Sequence, residues 1–323
     1  MPPPASSGPA SAPVPPSLVK IAGPILVADI LAWGLYGVLA VQVYIYFLAF
    51  PRDRTASKWL VVIVFLLETA QVIVIARDMF ESFAKGFGHP DAITALNLSG
   101  FSAPIIAGTV GFLVQLFYAY RIKVLSDRHI VPLIICFLAV VQLVGAFISG
   151  IRGFIGKDVR FLNTITDRVG HGLFNATSAA CDIVIAVAMS YYLPKLDSGV
   201  RASTHARVRR IIRLVVGTGS LTAAVAIIDQ ILFEAFPGTG YFLTPAFVIG
   251  KLYSNSMMVI FNSRVEFNSE KDETTINVSN NSQSGRYPQR NVYHISSSGD
   301  ETLRGVESEI RSGKKDFIEL GNR

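Results

Sequence analysis

The sequence predicts an all-α integral membrane protein, a polytopic bundle of seven transmembrane helices with the N-terminus outside and the C-terminus in the cytosol. Hydrophobic residues make up 51% of the 323 residues and charged residues only 16%, whereas soluble domains carry about 25% charged residues. The apolar residues occur in long runs without the polar stripe of a soluble helix. Basic residues concentrate in alternate loops. These patterns favour a membrane bundle over a water-soluble helical bundle.

Seven segments are long enough to cross a bilayer. Residues 30–51, 92–120 and 130–151 contain no Asp, Glu, Lys, Arg or His, and four further runs contain one such residue each. About 20 helical residues cross the ~30 Å hydrocarbon core, and lipid offers the backbone no hydrogen-bonding partner outside a helix. The predicted spans are approximately 24–48, 59–80, 100–121, 130–150, 169–193, 211–233 and 241–262.

Polar segments flank the predicted transmembrane domain, residues 23–264. Residues 1–22 are rich in Pro, Ser and Ala, and they lack a basic segment followed by an apolar run, so a cleaved signal peptide is not predicted. Residues 265–323 combine Ser, Asn and Gly with charges of both signs. Such compositions bury too little apolar surface to fold. Both segments are predicted to be disordered tails.

The orientation follows from the distribution of Lys and Arg. The first, third and fifth loops hold twelve basic residues, and the second, fourth and sixth hold six. Loops rich in Lys and Arg stay in the cytosol. The odd loops and the C-terminal tail are therefore predicted to be cytosolic.

Charged residues near the middle of three spans form a predicted intramembrane polar cluster. Glu68, Asp182 and Lys251 lie close to the midpoints of the second, fifth and seventh spans. Asn255 follows Lys251 by four residues and shares its helix face. A charge at this depth tends to face the bundle and find a partner. We expect Lys251 to pair with Glu68 or Asp182, and a ring of helices in sequence order favours Glu68.

Other polar residues of the spans have simpler interpretations. Asp29 and Asp229 are expected nearer the outer face, within reach of headgroup water, and His171 at the interface. Amide and hydroxyl side chains commonly bond across membrane helices, so packing is the interpretation for most of the rest. These residues are Gln42, Gln71, Gln115, Gln142, Asn175, Ser254 and Ser256.

Four motifs resemble a family of basidiomycete membrane proteins catalogued as a domain of unknown function. They are LYGVLAVQVYIYFLAFPRD (35–53), LVQLFYAYRIKVLS (113–126), IIRLVVGTGSLTA (211–223) and GKLYSNSMMVIFNSR (250–264). The resemblance spans about residues 25–264. Its signature is a final Lys/Arg-Leu-Tyr-Ser-Asn-Ser followed by Asn-x-Arg. The resemblance implies a fungal seven-helix membrane protein and no established activity.

The predicted function is that of a receptor-like sensor, judged from layout. Seven helices, an outer N-terminus, a basic third cytosolic loop and a tail bearing Ser and Thr match this layout. The alternatives are a proton-linked transporter using Glu68, Asp182 and Lys251, or a purely structural membrane protein. Besides the lipid bilayer, the basic loop indicates an anionic lipid or a cytosolic protein as partner. Its residues are Arg207, Arg209, Arg210 and Arg213.

No residue pattern argues for catalysis, a cofactor or a metal site. An opsin-like Schiff base at Lys251 would need an aromatic box at the third or sixth span, and the two Trp residues, Trp33 and Trp59, lie elsewhere. Seven-helix zinc hydrolases need several His at one membrane face, and loop order leaves two outside, His89 and His171. The basic charges follow membrane topology, so nucleic acid is not an expected partner. The plasma membrane and an endomembrane are equally compatible with the sequence.

Overall fold

The protein is an assembly of helices, described by a computed structural model over residues 16–126, 128–195 and 202–283. Within these ranges the secondary structure is helical and contains no β-strand. A π-helical segment, Phe80–Lys85, continues the second helix, and a short 3₁₀ helix, Val159–Phe161, precedes the sixth. The α-helices are α1 (Pro16–Ala49), α2 (Thr55–Met79), α3 (Pro90–Thr94), α4 (Leu98–Ser126), α5 (Ile130–Gly156), α6 (Ile165–Lys195), α7 (Ala202–Ala235) and α8 (Leu243–Gln283).

Six of the described helices are long and apolar enough to cross a membrane. They are Leu18–Ala49, Thr55–Lys85, Leu98–Ser126, Ile130–Gly156, Ile165–Tyr192 and Arg209–Ala235. The predicted seventh span, 241–262, falls in α8, which does not meet this criterion. Its polar residues Lys251, Ser254 and Asn255 lower its mean hydropathy, and all three are buried. The outer position of the N-terminus stays a prediction.

Helices α4, α5 and α6 pack closely because small residues line their crossings. A Cβ atom added at Gly145 of α5 would lie 2.6 Å from the backbone nitrogen of Phe174 in α6. One added at Gly108 of α4 would collide with Ala146 of α5. Small residues of this kind let membrane helices approach backbone to backbone. The fourth to sixth helices therefore cross at close range.

Helix α8 runs parallel to α1 and is bonded to it at three depths. In each case a side chain of α8 donates to a carbonyl oxygen of α1 that lies 220 positions earlier. The bonds join Thr244 Oγ1 to Pro24 O (2.9 Å), Asn255 Nδ2 to Leu35 O (3.1 Å) and Asn262 Nδ2 to Gln42 O (2.9 Å). The constant separation means that the two helices advance in the same direction.

Two connecting segments are tied together at the end of the bundle where α4 and α6 begin. Ala95 and Asp158 form an antiparallel bridge, and Thr94 Oγ1 donates to Asp158 Oδ2 at 3.0 Å. Burial of Asp158 raises its pKa, but hydrogen bonds from Arg160 outweigh this and leave the pKa below its usual range. The bridge and the Thr94 hydrogen bond hold the connection between α5 and α6 against the segment that precedes α4.

The predicted tails overlap the terminal helices. Helix α1 begins at Pro16, inside the predicted tail 1–22, and α8 continues to Gln283, inside the predicted tail 265–323. Residues 1–15 and 284–323, which make up the rest of both predictions, lie outside the described residues. From Lys271 onward the chain forms a second unit. All contacts discussed below belong to the first unit, which ends at Glu270.

Candidate functional site

Lys251 and Glu68 form a buried ion pair between α8 and α2. The Nζ atom of Lys251 contacts Glu68 Oε2 and donates a second hydrogen bond to Gln71 Oε1 at 3.1 Å. Both charged side chains are fully enclosed. Glu68 and Gln71 are three residues apart, so they share one face of α2. The lysine therefore has a compensating charge and a second acceptor inside the bundle.

Asp182 belongs to a separate network on the other side of α8. Its Oδ2 atom accepts hydrogen bonds from Thr222 Oγ1 of α7 at 2.5 Å and from the Tyr253 hydroxyl of α8 at 2.8 Å. The same hydroxyl lies 2.6 Å from Ser178 Oγ. Residues 251 and 253 point to nearly opposite sides of a helix. Lys251 is thus bonded to α2. Tyr253 is bonded to Asp182 of α6, which is bonded in turn to α7.

Asn255, the fourth member of the predicted cluster, bonds to backbone groups. Its Nδ2 atom donates to Leu35 O of α1 and to Lys251 O one turn earlier, at 3.1 and 2.7 Å.

A further buried amide pair joins α4 to α5, with Gln115 Nε2 donating to Gln142 Oε1 at 2.6 Å. Polar residues therefore link most helices of the bundle near its middle.

Arg264 closes the end of the bundle where α1 ends. Its Nη2 atom lies 2.5 Å from Asp53 Oδ2, and its guanidinium lies 4.5 Å from the centre of the Phe50 ring. The Tyr46 hydroxyl donates to the same carboxylate at 2.8 Å. The Arg264 hydrogen bond lowers the pKa of Asp53 to about 2. The ends of two of the four sequence motifs, 35–53 and 250–264, meet in this contact.

A cavity lies at the opposite end, between α4, α5, α6, α7 and the start of α8. We call it the outer cavity, because the predicted orientation puts this end outside. Its volume is about 60 Å³, and it is partly open. Four Phe residues contribute to its mostly apolar wall, which also carries charged groups. The aromatic residues are Phe174, Phe233, Phe242 and Phe247, and the polar ones include Arg152, Asp167, His171 and Asp229.

Arg152 and Asp167 in the outer cavity satisfy each other. Arg152 Nε donates to Asp167 Oδ1 at 2.8 Å. Asp167 Oδ2 accepts from the backbone nitrogen and hydroxyl of Thr164, at 2.8 and 2.7 Å. Thr164 directly precedes α6 and Asp167 lies three residues on, which is the arrangement of a capping box. Both oxygens of the Asp167 carboxylate are therefore used in hydrogen bonds at the start of α6.

Asp229, by contrast, retains an unpaired oxygen. Asn175 Nδ2 donates to its Oδ2 atom at 2.8 Å, and His171 Nε2 lies 3.2 Å from the same oxygen without hydrogen-bond alignment. Among the described residues, Oδ1 has no hydrogen-bonding partner although it is buried. The His171 ring stacks on Phe233, with centroids 4.2 Å apart. The result is a carboxylate oxygen in an aromatic setting.

A smaller cavity of about 30 Å³ adjoins the outer cavity and adds two carboxylates. Asp29 of α1 and Asp78 of α2 line it, and both are buried. Asp78 Oδ2 accepts a hydrogen bond from the Ser99 backbone nitrogen, at 2.5 Å, where α4 begins. A carboxylate is favourable at a helix N-terminus. The two cavities share Leu96, Ser99, Leu243 and Phe247.

Asp29, Asp229 and His171 lie at the end of the bundle where the sequence predicts them, but they are buried and do not face headgroup water. Their exposed fractions are 2%, 0% and 8%. Hydropathy places a residue at a depth, and it does not reveal that connecting segments cover the helix ends. Leu96 and Leu162, from the two bridged connections, close this end. The feature of the sequence that could have indicated the outer cavity is Asp229, a carboxylate within an apolar run and four residues before Phe233.

The basic loop is described only in part. Arg209, Arg210 and Arg213 are exposed in the first half of α7. Arg209 and Arg210 also make contacts within the protein. The side chain of Arg207 lies outside the described residues.

The apolar helices and enclosed ion pair define an integral multi-pass membrane protein. Residues 178–266 match a family of unknown function (DUF6534). The match contains Asp182, Asp229 and Lys251, and it includes the sequence motifs at 211–223 and 250–264, while those at 35–53 and 113–126 lie outside it. No curated protein and no solved structure matches the chain significantly. The similarity therefore supports a membrane protein of uncharacterised activity.

Proposed function

We propose that this protein is a seven-helix membrane sensor that binds a small ligand in the outer cavity. The observation that carries the proposal is Asp229, a buried carboxylate with one unpaired oxygen in an aromatic wall. Ligand sites are typically apolar concavities with a few placed polar groups. We assign no catalytic step to the chain.

The parallel contact of α1 and α8 supports the seventh crossing. Their three hydrogen bonds extend from Thr244 to Asn262, about 27 Å along the helix at 1.5 Å per residue. A helix that accompanies α1 over this length crosses the same hydrocarbon layer in the same direction. Equal directions for the first and last helices require an odd number of crossings.

Two helices connect the outer cavity to the middle of the bundle. Helix α6 carries His171 at the cavity and Asp182 about three turns further on. Helix α8 carries Phe247 at the cavity and Tyr253 further on. Asp182 and Tyr253 are hydrogen-bonded. A ligand that shifts either helix would therefore strain this bond. Coupling between distant sites requires an element with two arrangements, and we propose this hydrogen bond as that element.

A proton-linked transporter is the second candidate, favoured by the fully enclosed pair of Lys251 and Glu68 and by a third buried ionisable group, Asp182. Intramembrane carboxylates serve as proton relays in pumps and transporters. Against this role, neither Glu68 nor Lys251 lines the outer cavity. A purely structural role for the pair remains the third alternative.

We also propose that the basic segment at the start of α7 binds an anionic lipid or a cytosolic protein. Its positive charge carries this proposal, because basic residues next to a transmembrane helix attract anionic headgroups. Neutralising Arg207 and Arg213 together should weaken co-sedimentation with vesicles that contain phosphatidylserine. Unchanged sedimentation would contradict lipid binding and would mean that the arginines serve only to orient the protein in the membrane.

The sensor and transporter proposals separate in a paired assay on the purified full-length protein. We expect small molecules to raise the melting temperature Tm, because a ligand that binds the folded state stabilises it. In liposomes we expect no proton flux driven by a pH gradient. Proton-coupled flux in the wild type that Glu68→Gln abolishes would overturn the sensor proposal.

A further inference from the structure

We propose that the outer cavity binds a small organic cation, a protonated primary or secondary amine with a compact apolar body. The ammonium would donate to Asp229 Oδ1, and the apolar body would lie against Phe233 and Phe242. This inference rests on the proposed sensor function and names its ligand class.

The charge balance of this end of the bundle favours a cation. Its buried carboxylates are Asp29, Asp78, Asp167 and Asp229, with exposed fractions of 2, 6, 4 and 0%. Arg152 neutralises Asp167 at 2.8 Å, and the nearest basic group to Asp78, on the exposed Arg77, is 3.6 Å away. For Asp229, the only basic partner among the described residues is the His171 ring, whose Nε2 lies 3.2 Å from Oδ2 and leaves Oδ1 unbonded. For Asp29, no ion pair occurs among the described residues. The interior of this end therefore attracts positive charge.

Asp229 has the hydrogen-bonding capacity that an ammonium group needs. An enclosed acceptor without a partner is unfavourable, and more so when it is charged. The Oδ1 atom of Asp229 is such an acceptor, whereas both oxygens of Asp167 are bonded. An N–H donor in the cavity would satisfy Oδ1 without displacing an existing bond.

The aromatic wall is suited to the same charge. Phe233 and Phe242 meet at 86° with centroids 5.1 Å apart, so their faces turn in different directions. The negative face of an aromatic ring attracts an ammonium within about 6 Å. His171 covers one face of Phe233, and Asp229 lines the same cavity as both Phe rings. An ammonium bound to Asp229 would therefore combine a charge-assisted hydrogen bond with cation–π contact to the ring faces that remain open.

Other ligand classes fit the cavity less well. An anion would need a free cation, and Arg152 is already bonded to Asp167 and Thr164. The His171 ring nitrogen lies 3.2 Å from the Asp229 carboxylate, which would repel an anion placed there. A metal ion would need three or more ligating side chains together, and the described residues contain no such group. The cavity volume of about 60 Å³ admits a compact group, with room for a larger body towards the mouth.

The test uses three probes that share one ring: cyclopentylamine, cyclopentanol and cyclopentanecarboxylate. Each is added at millimolar concentration to the purified full-length protein at neutral pH, and Tm is measured. We expect the amine to raise Tm with a saturable concentration dependence and the other two probes to have little effect. Equal stabilisation by the alcohol or the carboxylate would overturn the proposal that the ligand is a cation. It would leave the sensor proposal intact.

Variants locate the binding site. Asp229→Asn should weaken amine binding by at least about 30-fold, because it removes the charged partner. Phe242→Leu should weaken it about tenfold by removing one aromatic face, and this variant keeps the test valid should Asp229→Asn not fold. The control is Glu234→Gln, which removes the same charge from the same helix at an exposed ion pair with Arg168.

Two outcomes would contradict the proposal that the outer cavity binds an amine. Unchanged amine binding in folded Asp229→Asn and Phe242→Leu proteins would put the ligand elsewhere. Absence of any stabilisation by the amine in the wild type would overturn the amine proposal. Failure of the sensor function itself is detected separately, as proton-coupled flux through the liposome-reconstituted protein.

Discussion

Lys251 and Glu68 stabilise the bundle only as a pair, because each by itself would be a charge enclosed in an apolar interior. Glu68→Gln leaves the lysine beside an amide, so we expect the free energy of unfolding to fall by about 3 kcal/mol. Unfolding in detergent micelles measures this. Lys85 and Glu81 form the control, an exposed pair at 2.6 Å, where Glu81→Gln should cost under about 0.5 kcal/mol. Equal losses of unfolding free energy in the two variants would contradict a stabilising role for the buried pair.

The contact between Asp53 and Arg264 gives a second prediction at this scale. Because the folded-state pKa of Asp53 is lowered from 3.8 to about 2, its contribution to stability is complete above pH 3.8 and is lost as the pH falls to about 2. The Tm difference between wild type and Arg264→Gln should therefore be constant at higher pH and shrink across that window. Arg54→Gln, in the same loop, should keep the wild-type acid dependence. A pH-independent difference would refute the linkage.

At the scale of elements, the crossing of α5 and α6 depends on the missing side chain of Gly145. A methyl group there would lie 2.6 Å from a backbone nitrogen, which cannot rotate away. Gly145→Ala should lower the free energy of unfolding by about 1–3 kcal/mol, as overpacking does. Gly217→Ala is the control, since no atom lies within 4 Å of its added Cβ. It should be neutral or stabilise slightly. Similar unfolding curves for both variants would show that the crossing tolerates a wider spacing.

Helix α8 shows why an element can escape a hydropathy criterion and still lie at the centre of a bundle. Lys251 and Asn255 lower its apolar content, but neither faces lipid. Helices packed all round by protein can carry polar residues that a lipid-facing helix cannot. Sequence patterns give a helix its length and mean hydropathy, whereas its position in the bundle follows from its neighbours.

At the scale of the whole molecule, the seventh crossing and the orientation lead to one labelling prediction. In a protein lacking Cys136 and Cys181, single cysteines at Phe87 and Phe236 should react with an impermeant maleimide on intact cells. Cysteines at Ala56 and Ser297 should react only after permeabilisation. Phe87 and Phe236 have exposed fractions of 86% and 47%, so access is not limiting. Equal labelling at Phe236 and Ser297 would mean six crossings, and a reversed pattern would mean the opposite orientation.

The sequence by itself determined the positions of the six membrane-length helices. It also determined how far along their helices Glu68, Asp182 and Lys251 lie, the last of them in α8. Long uncharged runs must be helical in lipid, and depth follows from a rise of 1.5 Å per residue. The ends were less predictable, because helices such as α5 (Ile130–Gly156) continue beyond the predicted span 130–150.

Only the tertiary structure decided which way each charge faces. Lys251 meets Glu68 while Asp182 bonds Tyr253 two positions further along α8, because those two positions lie on opposite sides of one helix. Asp229 has an unpaired oxygen in an aromatic wall because the connections between helices cover that end of the bundle. Helix rotation and loop closure depend on contacts between residues distant in the chain, and hydropathy along one segment carries no information about them.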